Sequence, residues 1–543
     1  MIHLGDDMVQ KPQPILKNEE NPPQLPLFAS LSENLDKVRE ILGESNDIVI
    51  REFKLGTVGI KAALLYVDGL IDKALVCEHL LSSVMIRVRQ VEADGERELS
   101  AKEMLTLINE RGISMLEVKA SNDFDRIFLA ALSGEAILFL DGVDQALVVS
   151  ARGWEHRGVQ EPETQTLIRG PRVGFSETLR VNTTLIRRQL RDPNLKLQTI
   201  YLGRRSKTEV CIAFVDTIVN PKILEEVRKR LQAIDVDVVM ESGYLEQHIQ
   251  DDWLSPFPQV HVTERPDHVV MGLLQGKVAI LVDNTPFALM VPAVLKDFFI
   301  SPEDYYERWT IGTLVRVLRY GASFMALILP ALYISLVSFH PEMLPTKLTL
   351  SLAAGREGVP YPAFVEALVM LAAFELLREA GIRLPGPIGQ TIGIVGGLIV
   401  GQAAVEASLV SPLMIIVIAF TGISSFAIPN YGLAIALRIL TFPLMILAAV
   451  FGLFGLVLGL FLIGSHLVAV KSFGVPITSP FTPLKVRELR DTIFRHSMLG
   501  MHWRPDTAKP LDKTRMQDKR PDNELAVKEK EASIAESRPR GGK

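Results

Sequence analysis

The sequence predicts a membrane protein of mixed build, with an N-terminal cytoplasmic α/β region of two related modules followed by an α-helical transmembrane bundle of four to six passes. Three observations predict it. Apolar residues alternate with charges before Trp309 but come in long blocks between Thr313 and Val470. One pattern of strands and helices occurs twice between Ser32 and Ser301. The run LPGPIGQTIGIVGGLIVGQAAVEASLV, Leu384 to Val410, is too long, too apolar and too rich in glycine for a buried helix of a soluble protein. The 543 residues are 48% hydrophobic and 22% charged, with a net charge of -5. That balance suits neither a wholly soluble enzyme nor a purely embedded transporter, and it gives no footprint for nucleic acid.

In chain order, residues 1–31 read as a disordered tail, polar and proline-rich, without the basic and apolar regions of a signal peptide. The first apolar span therefore serves as its own insertion signal. The first α/β module occupies 32–160, with its strands and helices between Asp47 and Ala151, and the second 195–300, between Leu195 and Ala293. GEAILFLDGVDQALVVSA, from Gly134, matches GKVAILVDNTPFALMVPA, from Gly276, and each gives a strand ending in an aspartate, a turn and a second strand. FKLGTVGIKAALLYVDG, from Phe53, matches IYLGRRSKTEVCIAFVDT, from Ile200, as an earlier hairpin. Imperfect alternation in these strands predicts a sheet covered by helices on at least one face. Ser30 with Glu33 resembles a capping box, and Asn220-Pro221 a helix start. Cys77 and Cys211 lie far apart, one in a helix and one in a strand, which fits buried reduced thiols.

Residues 161–194 read as an Arg-rich connecting helix. Arg169, Arg172, Arg187 and Arg188 lead this cluster, which Arg180, Arg191 and the pair Arg204-Arg205 extend. Two readings fit them: a surface for anions or another subunit, and a solvated face paired with acids such as Glu177 and Asp192.

Residues 301–319, with SPEDYYERW, suit an interfacial elbow, and 320–470 the helical transmembrane domain. Tyr320 to Phe339 forms the first crossing, with Arg316 and Arg319 before it and Pro330 within it. A polar loop follows, and then a second helix, PAFVEALVMLAAFELLREAG, which is short for a lipid-facing span. It carries Glu366 and Glu375 on opposite sides, and two readings fit: one acid faces a pore or partner while the other pairs with Arg378 or Arg383, or the helix is partly interfacial with both acids solvated. In the third span Gly389, Gly393, Gly397 and Gly401 recur every fourth residue, a smooth stripe for close helix packing. Thr391, Gln402 and Glu406 lie near one another in projection, and a carboxylate at that depth requires protein, water or a pore beside it. Leu413 to Ile428 forms a fourth span. The block Leu433 to Val470 is too long for one crossing and must turn near Gly452 to Gly455. Arginines and lysines mark alternate ends of successive spans, whereas the turns near Ser411 and Gly452 are uncharged, which puts both termini in the cytoplasm. Residues 471–503 form a C-terminal cytoplasmic segment, and 504–543 a charged disordered tail.

The stretches RGPRVGFSETLRVNTTLIRR, TERPDHVVMGLLQGKVAILVDNTPFALMVP, SPEDYYERW, GREGVPYPAFVEALVM, FELLREAGIRLPGPIGQTIGIVGGLIVGQAAVEASLVSP and SFGVP stand in one order between Arg157 and Pro483. In them the chain resembles the A subunit of the spore germinant receptors, the GerA family of endospore-forming bacteria. The resemblance implies a subunit of a nutrient-sensing complex in the inner membrane of the spore, in contact with membrane lipid. Its implied partners are a B subunit resembling amino-acid transporters and a C-subunit lipoprotein. It further implies a homo-oligomer that provides a path for monovalent cations, with Glu366, Glu375, Gln402 and Glu406 as candidates to line it. Relatives often carry an acid after the methionine of the EALVM helix, where this chain has Leu371.

A secondary transporter that binds an amino acid or ion itself is the alternative, but the visible repeat lies in the soluble half and none is evident among the spans. The sequence has no Walker loop, zinc-type histidine spacing, nucleophile elbow or dinucleotide fingerprint, so neither an enzyme nor a cofactor or metal is expected.

Overall fold

The computed structural model describes residues 25–43, 45–56, 59–82, 84–86, 100–108, 118–153, 161–383, 401–486 and 488–516. The chain divides into two compact units, one of residues 1–154 with 191–193, the other of residues 155–190 and 194–543.

In the first unit α1 (Leu31–Leu42) is followed by β1 (Ile48–Leu55), β2 (Ile60–Val67), α2 (Ala101–Leu107), β3 (Val118–Ser121), α3 (Phe124–Ala131), β4 (Glu135–Leu140) and β5 (Ala146–Ser150). The strands form one antiparallel sheet in the order β1-β2-β4-β5-β3. Successive side chains of a strand point to opposite faces, and here both faces are covered. Ala62 and Leu64 of β2 and Leu138 of β4 pack with Met104 of α2, whereas Ala63, Leu65 and Phe139 pack with Leu35 of α1 and Phe124 of α3. That double burial is why the strands alternate so poorly in sequence. Leu27 and Phe28 already pack beside α1 and α3, ahead of the expected boundary at residue 32.

The second unit repeats the plan: α4 (Leu179–Gln189), β6 (Leu195–Leu202), β7 (Thr208–Val215), α5 (Pro221–Gln232), α6 (Ser242–Ile249), β8 (His261–Thr263), α7 (Pro266–Leu273), β9 (Val278–Val282) and β10 (Ala288–Val291). Its antiparallel sheet runs β6-β7-β9-β10-β8, the same order. In β7, Val210, Ile212 and Phe214 enter one core, and Cys211, Ala213 and Val215 the other. Of the two cysteines only Cys211 is buried; Cys77, expected to be buried as well, is exposed. The Arg-rich segment does not merely connect the modules. Its helix α4 belongs to the second one, because Leu179, Leu185 and Ile186 pack with Val269, Leu281 and Met290.

The duplication extends to how α1 and α4 begin. Leu31 N–H donates to Asp141 Oδ1 at 2.9 Å, and Leu179 N–H to Asp283 Oδ1 at 3.0 Å. Asn34 accepts from Phe28 N–H and donates to its carbonyl, and Asn182 does the same with Ser176. The aspartates that end β4 and β9 thus satisfy an otherwise unpaired donor at the positive end of a helix. The expected Ser30 capping box does not form, since the Ser30 side chain caps nothing; the Asn220-Pro221 start does, with Lys222 N–H donating to Asn220 Oδ1 at 3.0 Å.

Beyond β10 the second unit continues as α8 (Trp309–Phe339), α9 (Thr346–Arg356), α10 (Ala363–Arg383), α11 (Pro412–Phe426) and the helical run α12 (Tyr431–Ala469). Among the described residues α8 and α12 are the two helices long and apolar enough to cross a membrane, and α11 is a shorter apolar helix. α8 begins at Trp309, so Arg316 and Arg319 lie inside it, and the stretch expected to be a polar loop contains a helix, α9. α12 reverses at Gly452, where φ is 59°. A Cβ at Gly455 would lie 2.0 Å from the Leu447 carbonyl oxygen, and one at Gly459 2.5 Å from Leu444. Its arms, 431–451 and 453–469, therefore pack against each other where glycine lets the backbones approach.

The chain leaves this helical block where it entered. Leu295 N–H donates to the Ile477 carbonyl at 2.7 Å, and Ala293 N–H to Ser472 Oγ at 3.0 Å. Residues 504–516, expected within an unpacked tail, return to the second module instead: Arg504 Nε donates to the Leu274 carbonyl, Leu511 N–H to that of Ile218, and Ala508 is buried in the core.

Removing one cap tests the repeated device. Asp283→Ala in the detergent-solubilised chain is expected to cost about 1 kcal/mol locally, seen as roughly fivefold faster amide exchange over 179–189 by mass spectrometry, and Asp283→Asn to cost less.

Candidate functional site

The four polar groups of the helical block occupy different surroundings. Glu366 on α10 is 1% exposed; Arg356 Nη2 stands 3.0 Å from its Oε1, and its Oε2 accepts from Ser411 N–H at 2.9 Å. Oε1 lacks a partner in hydrogen-bonding geometry, so the contact there is ionic only. Glu375, on the same helix, accepts from Arg378 at 3.0 Å and Arg438 of α12 at 3.1 Å. Arg378 reaches on to Ser425 and lies over the rings of Phe374 and Phe426. The two glutamates thus face different neighbours, as their spacing requires, and Glu375 takes the arginine anticipated for one of them. Gln402 and Glu406 are exposed, with Gln402 Nε2 donating to Glu406 Oε1 at 2.9 Å. Leu371 is buried in the helical core. Gly401 abuts Ile415 of α11, at 3.7 Å from a Cβ placed on it. Gly389, Gly393 and Gly397, and Thr391, lie outside the described residues.

The candidate arginines separate in the same way. Arg187 is 1% exposed and donates to the Leu195 carbonyl at 3.0 Å, tying α4 to β6. Arg169 lies 3.9 Å from Glu307 and Arg172 3.4 Å from Glu161, both on the surface, where such pairs add little stability. Arg188 is exposed at the end of α4.

Sequence reasoning treated Arg316 and Arg319 only as markers of a membrane edge, yet they anchor the most connected polar cluster of the second unit. The Arg316 guanidinium, fully buried, donates to Asp304 at 2.9 Å and Asp491 at 2.8 Å and lies over the Tyr305 ring. Arg319 donates to both oxygens of Asp304 at 2.8 Å. Tyr305 OH donates to Asp491 at 2.7 Å, and Arg495 to the carbonyls of Tyr305 and Glu307. The next residue, Tyr306, donates to Asp267 at 2.6 Å. Asp267 is held by a two-pronged contact from Arg265, which also grips the carbonyls of Gln165 and Pro171. A continuous set of charged contacts therefore runs from the segment before α4, through α7 and the elbow, into α8 and the C-terminal segment. Its signal in the sequence was the dense SPEDYYERW, where acids and tyrosines precede a helix bearing two arginines.

Beside it lies a cavity of about 130 Å³, lined by His261, His268, Gln165, Phe298, Ser301 and Asn430. The two imidazoles meet edge to face with centroids 4.5 Å apart, and neither Nδ1 has a hydrogen-bond partner. Burial pulls His268 down from 6.5 to about 4; Lys277 adds to the shift, and Asp267 and Asp297 oppose it. Burial likewise holds His261 well below its ordinary value, with His268 and Lys277 pushing the same way. Both rings are neutral in the folded chain at neutral pH. Because unfolding frees them to take up protons, their contribution is complete above about pH 6.5 and is lost as pH falls towards about 4. The melting temperature of the solubilised chain should therefore drop across that range, and His268→Gln should flatten the drop; parallel profiles for the two chains would contradict this.

Comparison with known proteins agrees over nearly the whole chain. The model of the Bacillus/Clostridium GerA spore germination protein family matches residues 36–507. The spore germination protein GerLA of Bacillus cereus is 44% identical over 490 residues, which are 90% of this chain and 98% of that one. Spore germination protein KA of Bacillus subtilis (strain 168) is 41% identical over 495 residues, 91% of this chain and 89% of that one. The crystal structure of the N-terminal domain of the A subunit of the Bacillus megaterium spore germinant receptor GerK3 is 34% identical, covers 50% of this chain and 97% of its own, and superposes with a TM-score of 0.39. Since the match runs from α1 through both α/β modules and the helices to the returning C-terminal segment, the chain belongs to the GerA family of spore germination proteins.

Proposed function

We propose that the chain is the A subunit of a nutrient germinant receptor in the spore inner membrane, and that copies of it assemble around a path for monovalent cations gated from its cytoplasmic modules. A transporter-like B subunit would bind the nutrient, and a lipoprotein C subunit would complete the receptor. The observation that carries this reading is the contrast among the acids. Arginines pair with both acids of α10 within one chain, sealing Glu366 and holding the half-buried Glu375, whereas the Gln402–Glu406 pair is exposed on a single chain. An acid near the end of an apolar span is costly in lipid and is tolerated against water or another copy. Glu406, with Gln402 holding its carboxylate, is then the group that would meet the ions. Glu366, locked to Arg356 and Ser411, acts as a structural tie. The common entry and exit of the helical block, near Ala293 and Ser472, supports an even number of crossings with both termini on one side.

The Arg316–Asp304–Asp491 cluster is the route by which a movement of the second module would reach α8. A buried charge left without its partner is strongly destabilising, so the cluster can hold one arrangement until a competing set of contacts replaces it.

Flux in liposomes tests both halves of this reading. Purified protein under an activating condition should pass potassium or sodium. Glu406→Gln is expected to lower that flux several-fold at unchanged melting temperature, whereas Glu366→Gln should lower stability while the surviving protein conducts. Equal flux from Glu406→Gln and the parent would take Glu406 out of the path. Asp304→Asn, which removes the shared partner of Arg316 and Arg319, is expected to cost about 3 kcal/mol and to change how readily flux is triggered; a melting curve and trigger threshold identical to the parent would exclude the junction from gating.

A further inference from the structure

We propose that the loop Asp251–Pro258 of the second α/β module is a membrane-inserting element, whose Trp253 and Leu254 sit in the boundary between lipid headgroups and acyl chains beside α12. The inference rests on the reading of α8 and α12 as membrane spans.

The loop is built to hold one shape. Gln259, 1% exposed, accepts from the N–H groups of Asp251 and Asp252, both at 2.9 Å, and donates to the Asp252 carbonyl. Leu254 N–H donates to Asp252 Oδ1 at 3.1 Å, and Asp251 is engaged by Arg230 at 2.7 Å. A loop fixed by this many bonds would ordinarily turn its large apolar side chains inward, and Phe257 does so: it is 4% exposed and packs with Leu433 and Leu437 in the core of the helical block. Trp253 and Leu254 do the opposite, at 78% and 72% exposed. Adjacent large apolar groups held outward on a rigid loop are a feature that water alone does not favour.

Position identifies what covers them. Ser255 Oγ lies 2.9 Å from His466 Nε2, and the Phe257 ring stacks on His466. Pro258 is beside Gly432. In the hairpin register set by Gly459 against Leu444, His466 comes level with Leu437 and Arg438, where the arms pass from apolar sequence to their polar ends at Asn430 and Lys471. The loop thus meets α12 at the depth of the expected interface, the level at which tryptophan is favoured because its ring is apolar with a polar edge. The outward faces of both arms at and above this level are apolar as well, with Ile439, Phe461 and Leu462 exposed, so Trp253 and Leu254 continue a belt already presented by the spans. A lipid surface fits that continuity, and the soluble module would then be held against the bilayer at a second point besides the elbow.

The test uses the full chain in vesicles of phosphatidylcholine with or without bromine on the acyl chains near the headgroup. In one chain Trp154, Trp309 and Trp503 become Phe, which leaves Trp253; in a second all four tryptophans become Phe and Phe461→Trp reports on the span. Brominated lipid is expected to quench both, each by roughly half or more, while iodide in the water quenches Trp253 little. In the otherwise unchanged protein, Trp253→Phe should remove a component that brominated lipid quenches, which guards against misfolding of the multiple variants. Quenching at position 461 but not at Trp253 would overturn the loop proposal and leave the span reading intact, and so would a Trp253 shielded from both quenchers, which would mean coverage by protein. Absence of quenching at both positions would overturn the span reading and the loop with it.

Discussion

Burial of the Arg316 guanidinium is the constraint on which the second unit depends. A cation with no exposed surface is tolerable only when acids and ring faces surround it, and this one draws them from separate parts of the chain: Asp304 and Tyr305 from the elbow, and Asp491 from beyond the last helix. Satisfying a single side chain therefore fixes the angle at which the chain turns from the second module into α8 and pins the returning segment beside it. Through Tyr306 and Asp267 the same bonds extend to Arg265 and the segment before α4. Movement anywhere along this line must break or exchange charged contacts in a poorly hydrated place, which favours two distinct arrangements over a continuous range.

Much of the fold was legible because its signals are local. The strand pairs that turn at Asp141 and Asp283, the Asn220-Pro221 helix start and the reversal near Gly452 each depend on a few adjacent residues whose backbone preferences are strong. The misreadings are of another kind. Ser30 carried the right residue type for a cap, but the bond went to Asp141, which is remote in sequence and brought there by the sheet. α4 resembles a linker in sequence because three arginines stand among only four apolar residues, yet Leu179, Leu185 and Ile186 suffice to seat it. Residues 504–516 looked too polar to pack, and they do so mainly through backbone and arginine bonds, with Ala508 the small apolar contact.

The polar groups of the helical block were legible as a set, but their individual settings were not. Periodicity put Glu366 and Glu375 on opposite sides of one helix and set Thr391, Gln402 and Glu406 near one another; in the structure the two glutamates meet different neighbours and Gln402 bonds Glu406, while Thr391 lies outside the described residues. It could not indicate that Arg356, from a stretch read as loop, would seal Glu366, because that contact depends on α9 folding and on how α9 meets α10. The histidine pair escaped notice for a similar reason. His261 and His268 stand on a strand and a helix and are ordinary in sequence, and only the packing of β8 against α7 brings their rings together, strips both of water and leaves each Nδ1 without a hydrogen-bond partner.

The second module is not finished by its own stretch of sequence. Phe473 and Ala508, encoded after every helix of the apolar block, lie in the same core as Val227, Ile280 and Leu289, and Ser472 bonds to both Ala293 and Gln259. During synthesis the first module has all its strands and helices before the helical block emerges, whereas its counterpart waits, with part of its interior uncovered, until the block has been made and the trailing chain has come back. A chain whose later helices fail to reach their place therefore cannot close that domain, and part of its apolar interior stays open to water.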